Sequence, residues 1–218
     1  MCIRDRPIAY ITGYKEFWKS SFKVDNNVLI PRPDTETIIE QALKELDIYS
    51  SKKILDIGTG SGCIIISILN ERKRCIGVGI DVSKNAVKLA KYNAKIQHID
   101  NRIKFFNSDI DNFYSGKYDL IISNPPYIKH YEINGLEKDI RHHEPKVAID
   151  GGIDGYDKIR LIIKKSSTLI KKKGKLFLEL GINQTKETLK ILNLNGFYET
   201  KIIKDLASKN RCIVSTKI

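Results

Sequence analysis

The chain is poor in the features that build membrane spans, metal centres and phosphate loops. No apolar run approaches the ~20 residues that a membrane-crossing helix needs, and no apolar signal core follows Met1. Cysteines stand alone at Cys2, Cys63, Cys75 and Cys212, with no Cys-x-x-Cys pair and no Cys/His ligand pattern. That spacing argues against zinc and against a disulfide framework, and it suits a reducing cytoplasm. No metal is expected. A Walker-type phosphate loop is absent, because no Gly-Lys-Ser/Thr follows the glycine-rich turn. A dinucleotide fingerprint is absent too, since Cys63 sits where Gly-x-Gly-x-x-Gly needs its last glycine. Acidic residues are outnumbered by basic ones, 26 to 38, which leaves a net charge of +12. Such a charge invites a polyanion such as RNA. The lysines are scattered, however, in a chain rich throughout in Lys, Ile and Asn, so direct nucleic-acid binding is the less favoured expectation.

What is present is a strand–helix alternation. The 218 residues suffice for one α/β domain with a full core. Residues 1–6 are polar and aperiodic and read as a leader foreign to the rest. Residues 7–33 read as a hairpin and linker, with Glu16-Phe17-Trp18 and Phe22-Lys23-Val24 as its arms. Residues 34–218 read as the main domain. Asp34 or Thr35 is placed to cap a helix carrying Ile38, Ile39, Ala42, Leu43 and Leu46. Strands are predicted at 53–57, 75–80, 103–106, 118–123, 175–180, 198–203 and 212–216, the last two as a hairpin. Helices are predicted at 63–69, 83–95, 157–170 and 185–194, and Lys171-Lys172-Lys173-Gly174 reads as the C-terminal stop of the third. Residues 128–155 show little periodicity, and a stretch that long is usually functional or disordered. It carries the adjacent His142 and His143, to which no role is given. Repeated strand–helix units imply a parallel sheet covered on both faces.

The chemistry gathers at strand ends. Asp56-x-Gly58-x-Gly60-x-Gly62 follows the first core strand, and glycines at this spacing let backbone approach a ligand closely. Asp81 ends the next strand, where a carboxylate can accept both hydroxyls of a ribose. Asp109 ends the third, where it can accept an adenine amino proton. Each acid alone could equally cap a helix. The fourth strand runs into Asn124-Pro125-Pro126-Tyr127. Two prolines forbid further sheet or helix, so Asn124 is left at the carboxyl end, where open α/β sheets bind ligands. An Asn oxygen, a proline carbonyl and an aromatic face can accept and stack a planar –NH2 group. Read alone, the tetrad is equally a tight turn after a strand. Arg32, fenced by Pro31 and Pro33, reads either as part of a lid that contacts substrate or as a surface turn.

The wording of these segments goes further. Pro7-Ile8-Ala9-Tyr10-Ile11-x-Gly13, Leu29-Ile30-Pro31-Arg32-Pro33-x-Thr35-Glu36, Leu55-Asp56-Ile57-Gly58-Thr59-Gly60-Ser61-Gly62 and Asp81-Val82-Ser83 precede the tetrad. Asn93-Ala94 also precedes it, and Glu144-Pro145, Asp150-Gly151-Gly152-x-Asp154-Gly155 and Glu179-x-Gly181 follow. Together, over residues 7–217, they resemble the release factor glutamine methyltransferases, the HemK/PrmC family. The resemblance implies a Rossmann-like class I S-adenosylmethionine-dependent methyltransferase, α/β, with a seven-stranded, mostly parallel sheet whose last strand is antiparallel. It implies methylation of the N(5) of a glutamine side chain in the Gly-Gly-Gln motif of peptide chain release factors, with S-adenosylhomocysteine as product. Carried over by position, Asp56, Gly58, Thr59, Gly60, Ser61, Gly62, Asp81, Asp109, Ile110 and Asn124 would hold the cofactor. Asn124, Pro125, Pro126 and Tyr127 would hold the glutamine and form the catalytic centre, with Arg32 on the substrate side. Ile110 departs from the aromatic residue often found there. A second departure is the helical amino-terminal domain usual before the Pro7 region, in whose place stand six unfamiliar residues, so the chain reads as truncated.

A cytoplasmic monomer acting on a release factor, with no membrane partner, is the resulting expectation. Glutamine methylation of a large-subunit ribosomal protein and adenine-N6 methylation of nucleic acid are the alternatives, because Asn-Pro-Pro-Tyr clamps any conjugated –NH2. A non-catalytic S-adenosylmethionine-binding module is the reading from another class.

Overall fold

The computed structural model describes residues 6–218; all of the expected leader except Arg6 lies outside the described residues. The chain opens with α1 (Ile8–Thr12) and the hairpin β1 (Tyr14–Phe17) and β2 (Ser20–Lys23). There follow α2 (Glu36–Glu45), β3 (Lys53–Ile57), α3 (Cys63–Glu71), β4 (Ile76–Asp81), α4 (Lys84–Ile96) and β5 (Ile103–Asn107). The second half contains β6 (Tyr118–Ser123), α5 (Lys138–His143), α6 (Asp157–Leu169), β7 (Ile170–Glu179), α7 (Thr185–Leu194), β8 (Phe197–Lys204) and β9 (Asn210–Lys217).

The main sheet has seven strands in the order β5-β4-β3-β6-β7-β9-β8. All pairings from β5 to β7 are parallel, and β9 runs antiparallel to both β7 and β8. The expected architecture is therefore present. Side-chain alternation assigns the two faces. Ile54, Leu120, Ile122, Phe177 and Val214 belong to the core beneath α2, α3 and α4. Leu55, Ile121, Leu176, Leu178 and Ile213 belong to the core beneath α6 and α7. Strands buried on both faces read as continuous apolar runs, which is why 118–123 and 175–180 were recognisable. Phe177, fully buried, contributes about 2–3 kcal/mol to stability by leaving water.

The hairpin is not an appendage. Phe17 and Phe22 meet edge to face at 6.1 Å and lie in the same core as α3. Asn93 on α4 fastens it. Its Oδ1 accepts from Lys23 N at 2.9 Å, and its Nδ2 donates to Lys23 O at 3.0 Å and to Ser61 O at 2.8 Å. One buried side chain thus ties β2 to the turn after β3.

Three expectations need correction. The lysine run does not stop α6. It lies within β7, where Ile170 pairs with Tyr118 and Lys175 with Leu120 around an irregularity in register. Lys171 is neutralised by Asp119 at 2.9 Å, and the left-handed residue is Lys173, not Gly174. Neither Asp34 nor Thr35 caps α2 with its side chain, because the Pro33–Thr35 stretch is itself a 3-10 turn and both side chains are engaged elsewhere. The 128–155 stretch is ordered by short-range structure, namely α5 and 3-10 turns at His130–Gly135 and Lys146–Ala148. A parallel bridge between Ile128 and Asp150 closes it on itself. The short helix α1 went unread because five residues carry too little periodicity.

Replacing Asn93 by Ala leaves the Lys23 N–H and the Lys23 and Ser61 carbonyls without this partner. We expect a loss of about 3 kcal/mol in unfolding free energy by urea titration, and a loss below about 1 kcal/mol would contradict the assigned role.

Candidate active site

The strand order reverses between β3 and β6, so the loops leaving these two strands open side by side at the carboxyl edge. A cleft of about 1120 Å3, its open mouth included, lies there. Gly58, Thr59, Gly60 and Ser61 form one wall, Asp81 and Asp109 the next, and Asn124, Pro125 and Pro126 the third. Arg32 and Ile110 also line it, as do Val28, Leu29 and Pro31 from the linker and Lys158, Leu161 and Ile162 from α6. Hence most of the expected site residues come together. Asp56, Gly62 and Tyr127 do not line the cleft.

The turn after β3 has three left-handed glycines, Gly58 at φ +71°, Gly60 at +54° and Gly62 at +81°. Residues with a Cβ avoid this conformation. A Cβ on Gly62 would also come within 2.8 Å of Ile66, so this glycine lets α3 and α4 close beneath the turn rather than facing the ligand. Ile80 O accepts from Gly58 N at 2.9 Å and from Thr59 N at 3.0 Å. Asp81 completes the anchoring. Its Oδ2 accepts from Gly60 N at 2.9 Å and its Oδ1 from Ser83 N at 2.8 Å. Asp81 therefore shapes the turn while its remaining lone pairs face the cleft. The Asp109 carboxylate accepts from Asp111 N at 3.1 Å, within its own turn. Ser61 Oγ is buried on the cleft wall, without a hydrogen-bond partner among the described residues.

Asn124 stands where the prolines end β6. The strand is pinned just before it by Ser123 Oγ donating to Ile57 O at 2.7 Å. Asn124 Nδ2 donates to Thr35 Oγ1 at 3.2 Å, and Thr35 Oγ1 donates to Glu179 Oε2 at 2.7 Å. Asn124 Oδ1 and the Pro125 carbonyl take no hydrogen bond from the described residues. Tyr127 is partly buried, its ring packed against the core beneath α6 and beside Gly181. Burial raises its phenol to about 12. Its carbonyl accepts from Gln184 Nε2 at 3.1 Å, and the same amide group donates to Gly155 O at 3.0 Å while Oε1 accepts from Gly181 N at 2.9 Å. Gln184 thus knots the loop after the tetrad to the end of β7.

Arg32 is half-exposed, and its Nη2 reaches Glu144 Oε1 at 2.6 Å. The Glu144 side chain is 1% exposed. This pair fastens the linker over the cleft to the end of α5, so the guanidinium is already committed to a protein partner. Sequence reasoning gave Thr35 only a helix cap and had no role for Asn93, Glu144, Glu179 or Gln184. The first four stood inside quoted motifs, yet nothing local to them shows which distant strand each meets. His142 and His143 sit at the end of α5 without a part in the cleft.

Two carboxylates beneath the site are buried deeply. Burial pushes Asp56 from 3.8 up to about 7, with Asp81 adding to the rise and the 2.7 Å hydrogen bond from Thr59 Oγ1 opposing it. Burial likewise pushes Glu179 from 4.5 to about 7, against Thr35 and Arg211. A carboxylate with a raised folded pKa keeps a proton that the unfolded chain has released. Its contribution to stability is therefore present at low pH and is lost as pH rises from 3.8 toward about 7. Thermal melts should show the wild type losing stability between about pH 4 and about pH 7, and Asp56→Asn losing less. An equal loss in the variant would contradict the burial of a titrating Asp56.

The geometry has counterparts. Residues 34–143 match the methyltransferase small domain family. A release factor glutamine methyltransferase of Rhodospirillum rubrum is 36% identical over 211 residues, covering 97% of this chain and 65% of the relative. That of Caulobacter vibrioides is 35% identical over 215 residues, covering 98% of this chain and 74% of the relative. The chain thus spans 65% and 74% of the length of these two relatives. Among solved structures, a methyltransferase from Pyrococcus furiosus aligns with a TM-score of 0.66 at 18% identity, covering 90% of this chain and 88% of that one. A ribosomal protein L11 methylase from Lactobacillus delbrueckii subsp. bulgaricus aligns with a TM-score of 0.65 at 16% identity, covering 89% and 84%, which speaks to the fold alone. Matching along nearly its whole length at this identity, the chain belongs to the release factor glutamine methyltransferase family.

Proposed function

We propose that the chain transfers a methyl group from S-adenosylmethionine to the side-chain amide nitrogen of the glutamine in the Gly-Gly-Gln motif of a peptide chain release factor. The observation that carries this reading is the pair of free acceptors, Asn124 Oδ1 and the Pro125 carbonyl, beside the glycine turn in one cleft. They match the two N–H donors of a primary carboxamide.

The residues present suit the cofactor. Asp81 keeps acceptor capacity for ribose hydroxyls, Asp109 is available for an amino group, and the glycine turn allows close backbone approach. When bound, S-adenosylmethionine supplies an electrophilic sulfonium methyl group. An amide nitrogen is a poor nucleophile because its lone pair is delocalised into the carbonyl. Asn124 and Pro125 therefore do two things. They fix the amide plane so that its nitrogen faces the glycine turn, which is catalysis by orientation. They also place two negative dipole ends where positive charge grows on nitrogen. No side chain on the cleft wall is positioned by this reading as a base, because the methylated nitrogen is acidic enough to release its proton to water. Tyr127 packs against the core beneath α6 and braces the loop that carries Asn124.

The net charge of +12 favours, as a second reading, methylation of an adenine amine in RNA, for which the same clamp would serve. Labelled S-adenosylmethionine separates the two when offered with a release factor, its Gln-to-Ala variant in Gly-Gly-Gln, and total RNA. Label on the intact release factor alone is expected; label on RNA alone would overturn the proposal. Asn124→Ala should lower kcat by about a hundredfold or more while cofactor affinity changes little. Near-normal turnover in that variant would remove the amide clamp from the account.

A further inference from the structure

We propose that Thr35 and Glu179 are positioning residues that hold the Asn124 carboxamide with its oxygen turned toward the cleft. The inference rests on the reading of Asn124 as acceptor for a substrate carboxamide. A threonine hydroxyl has one proton. Thr35, 2% exposed, gives that proton to Glu179 Oε2 at 2.7 Å. Only its lone pairs remain for Asn124, which must then offer an N–H, and Nδ2 lies at 3.2 Å. The carboxamide oxygen is left to face the other way. A hydrogen bond of fixed polarity, begun at a carboxylate that can only accept, thus decides which end of Asn124 meets the substrate.

Protonation of Glu179 reverses the logic. A carboxylic acid can donate to Thr35, Thr35 can then donate to Asn124 Oδ1, and the carboxamide turns over to present its –NH2 to the cleft. Donor would meet donor, and a substrate amide would be refused. Glu179 is faced by Asp34 and Thr35 from the turn before α2, Tyr127 from the loop after β6, Arg211 and Cys212 from β9, and Cys63 from α3. Burial outweighs Arg211 and brings its titration to about 7, so the relay changes state near neutrality rather than near 4.5. Asp56 titrates in the same range but lies beneath the glycine turn, bonded to Thr59.

The test pairs a pH profile of kcat on the release factor with the side-chain amide resonances of Asn124 in the cofactor-bound protein. In the wild type, kcat should fall below about pH 7 and the amide resonances should titrate with the same midpoint. Glu179→Gln, whose amide oxygen still accepts from Thr35, should give a lower but pH-independent kcat and amide signals that do not titrate. Thr35→Val should lose about tenfold in kcat with unchanged cofactor affinity, and Thr35→Ser should recover it. An acid limb that persists in Glu179→Gln, or a Thr35→Ser no better than Thr35→Val, would overturn the relay. So would amide signals indifferent to pH. Titration of the amide in a wild-type protein that does not methylate the release factor would leave the relay standing and remove the substrate reading instead.

Discussion

Two consecutive prolines end β6, and the cleft depends on that stop. Neither residue can donate a ladder hydrogen bond, so pairing with β3 and β7 ceases at Ser123. Because β3 and β6 are neighbours at the point where strand order reverses, the end of one is brought against the glycine turn of the other. Proline also leaves its own carbonyl free of a neighbouring N–H. The same two residues therefore supply a position, an acceptor and a rigid frame for Asn124. Everything around them serves to hold this frame still. Ser123 pins the strand, Gln184 pins the loop that leaves it, and the Arg32–Glu144 pair pins the linker above it.

Charge is distributed against the trend of the chain. A protein of net charge +12 concentrates Asp56, Asp81, Glu144 and Glu179 around one edge of its sheet. Burial raises all four, and only Glu144 has a direct ion pair, to Arg32. Buried carboxylates cost stability unless they are hydrogen-bonded or neutralised. Here the hydrogen bonds go to the backbone of the glycine turn and to hydroxyls that in turn hold site residues. Of the four, Asp81 lines the cleft, where its carboxylate faces the proposed cofactor.

The parallel core was legible because its strands are buried on both faces. Apolar runs such as Leu120-Ile121-Ile122 admit few other readings, and 118–123 was bounded to the residue. The strand-end residues were legible because each follows such a run. What stayed hidden depends on contacts across many residues. Thr35 and Glu179 are 144 positions apart, and Arg32 and Glu144 are 112 apart, so no local pattern joins them. The lysine run was misread for a related reason. Its residues look like a helix terminus by charge, but pairing of Ile170 with Tyr118 draws them into β7. The motif placed Tyr127 on the substrate side, and nothing local in it shows that the ring also packs beside Gly181 against the core.

The central claim is that Asn124 Oδ1 and the Pro125 carbonyl together receive a glutamine carboxamide. A crystal structure of the protein with S-adenosylhomocysteine and a peptide containing Gly-Gly-Gln tests it most directly. The account predicts the glutamine nitrogen within about 3 Å of both acceptors, with its open side toward the cofactor sulfur. A glutamine side chain seated elsewhere in the cleft, or a carboxamide whose oxygen faces Asn124, would contradict it.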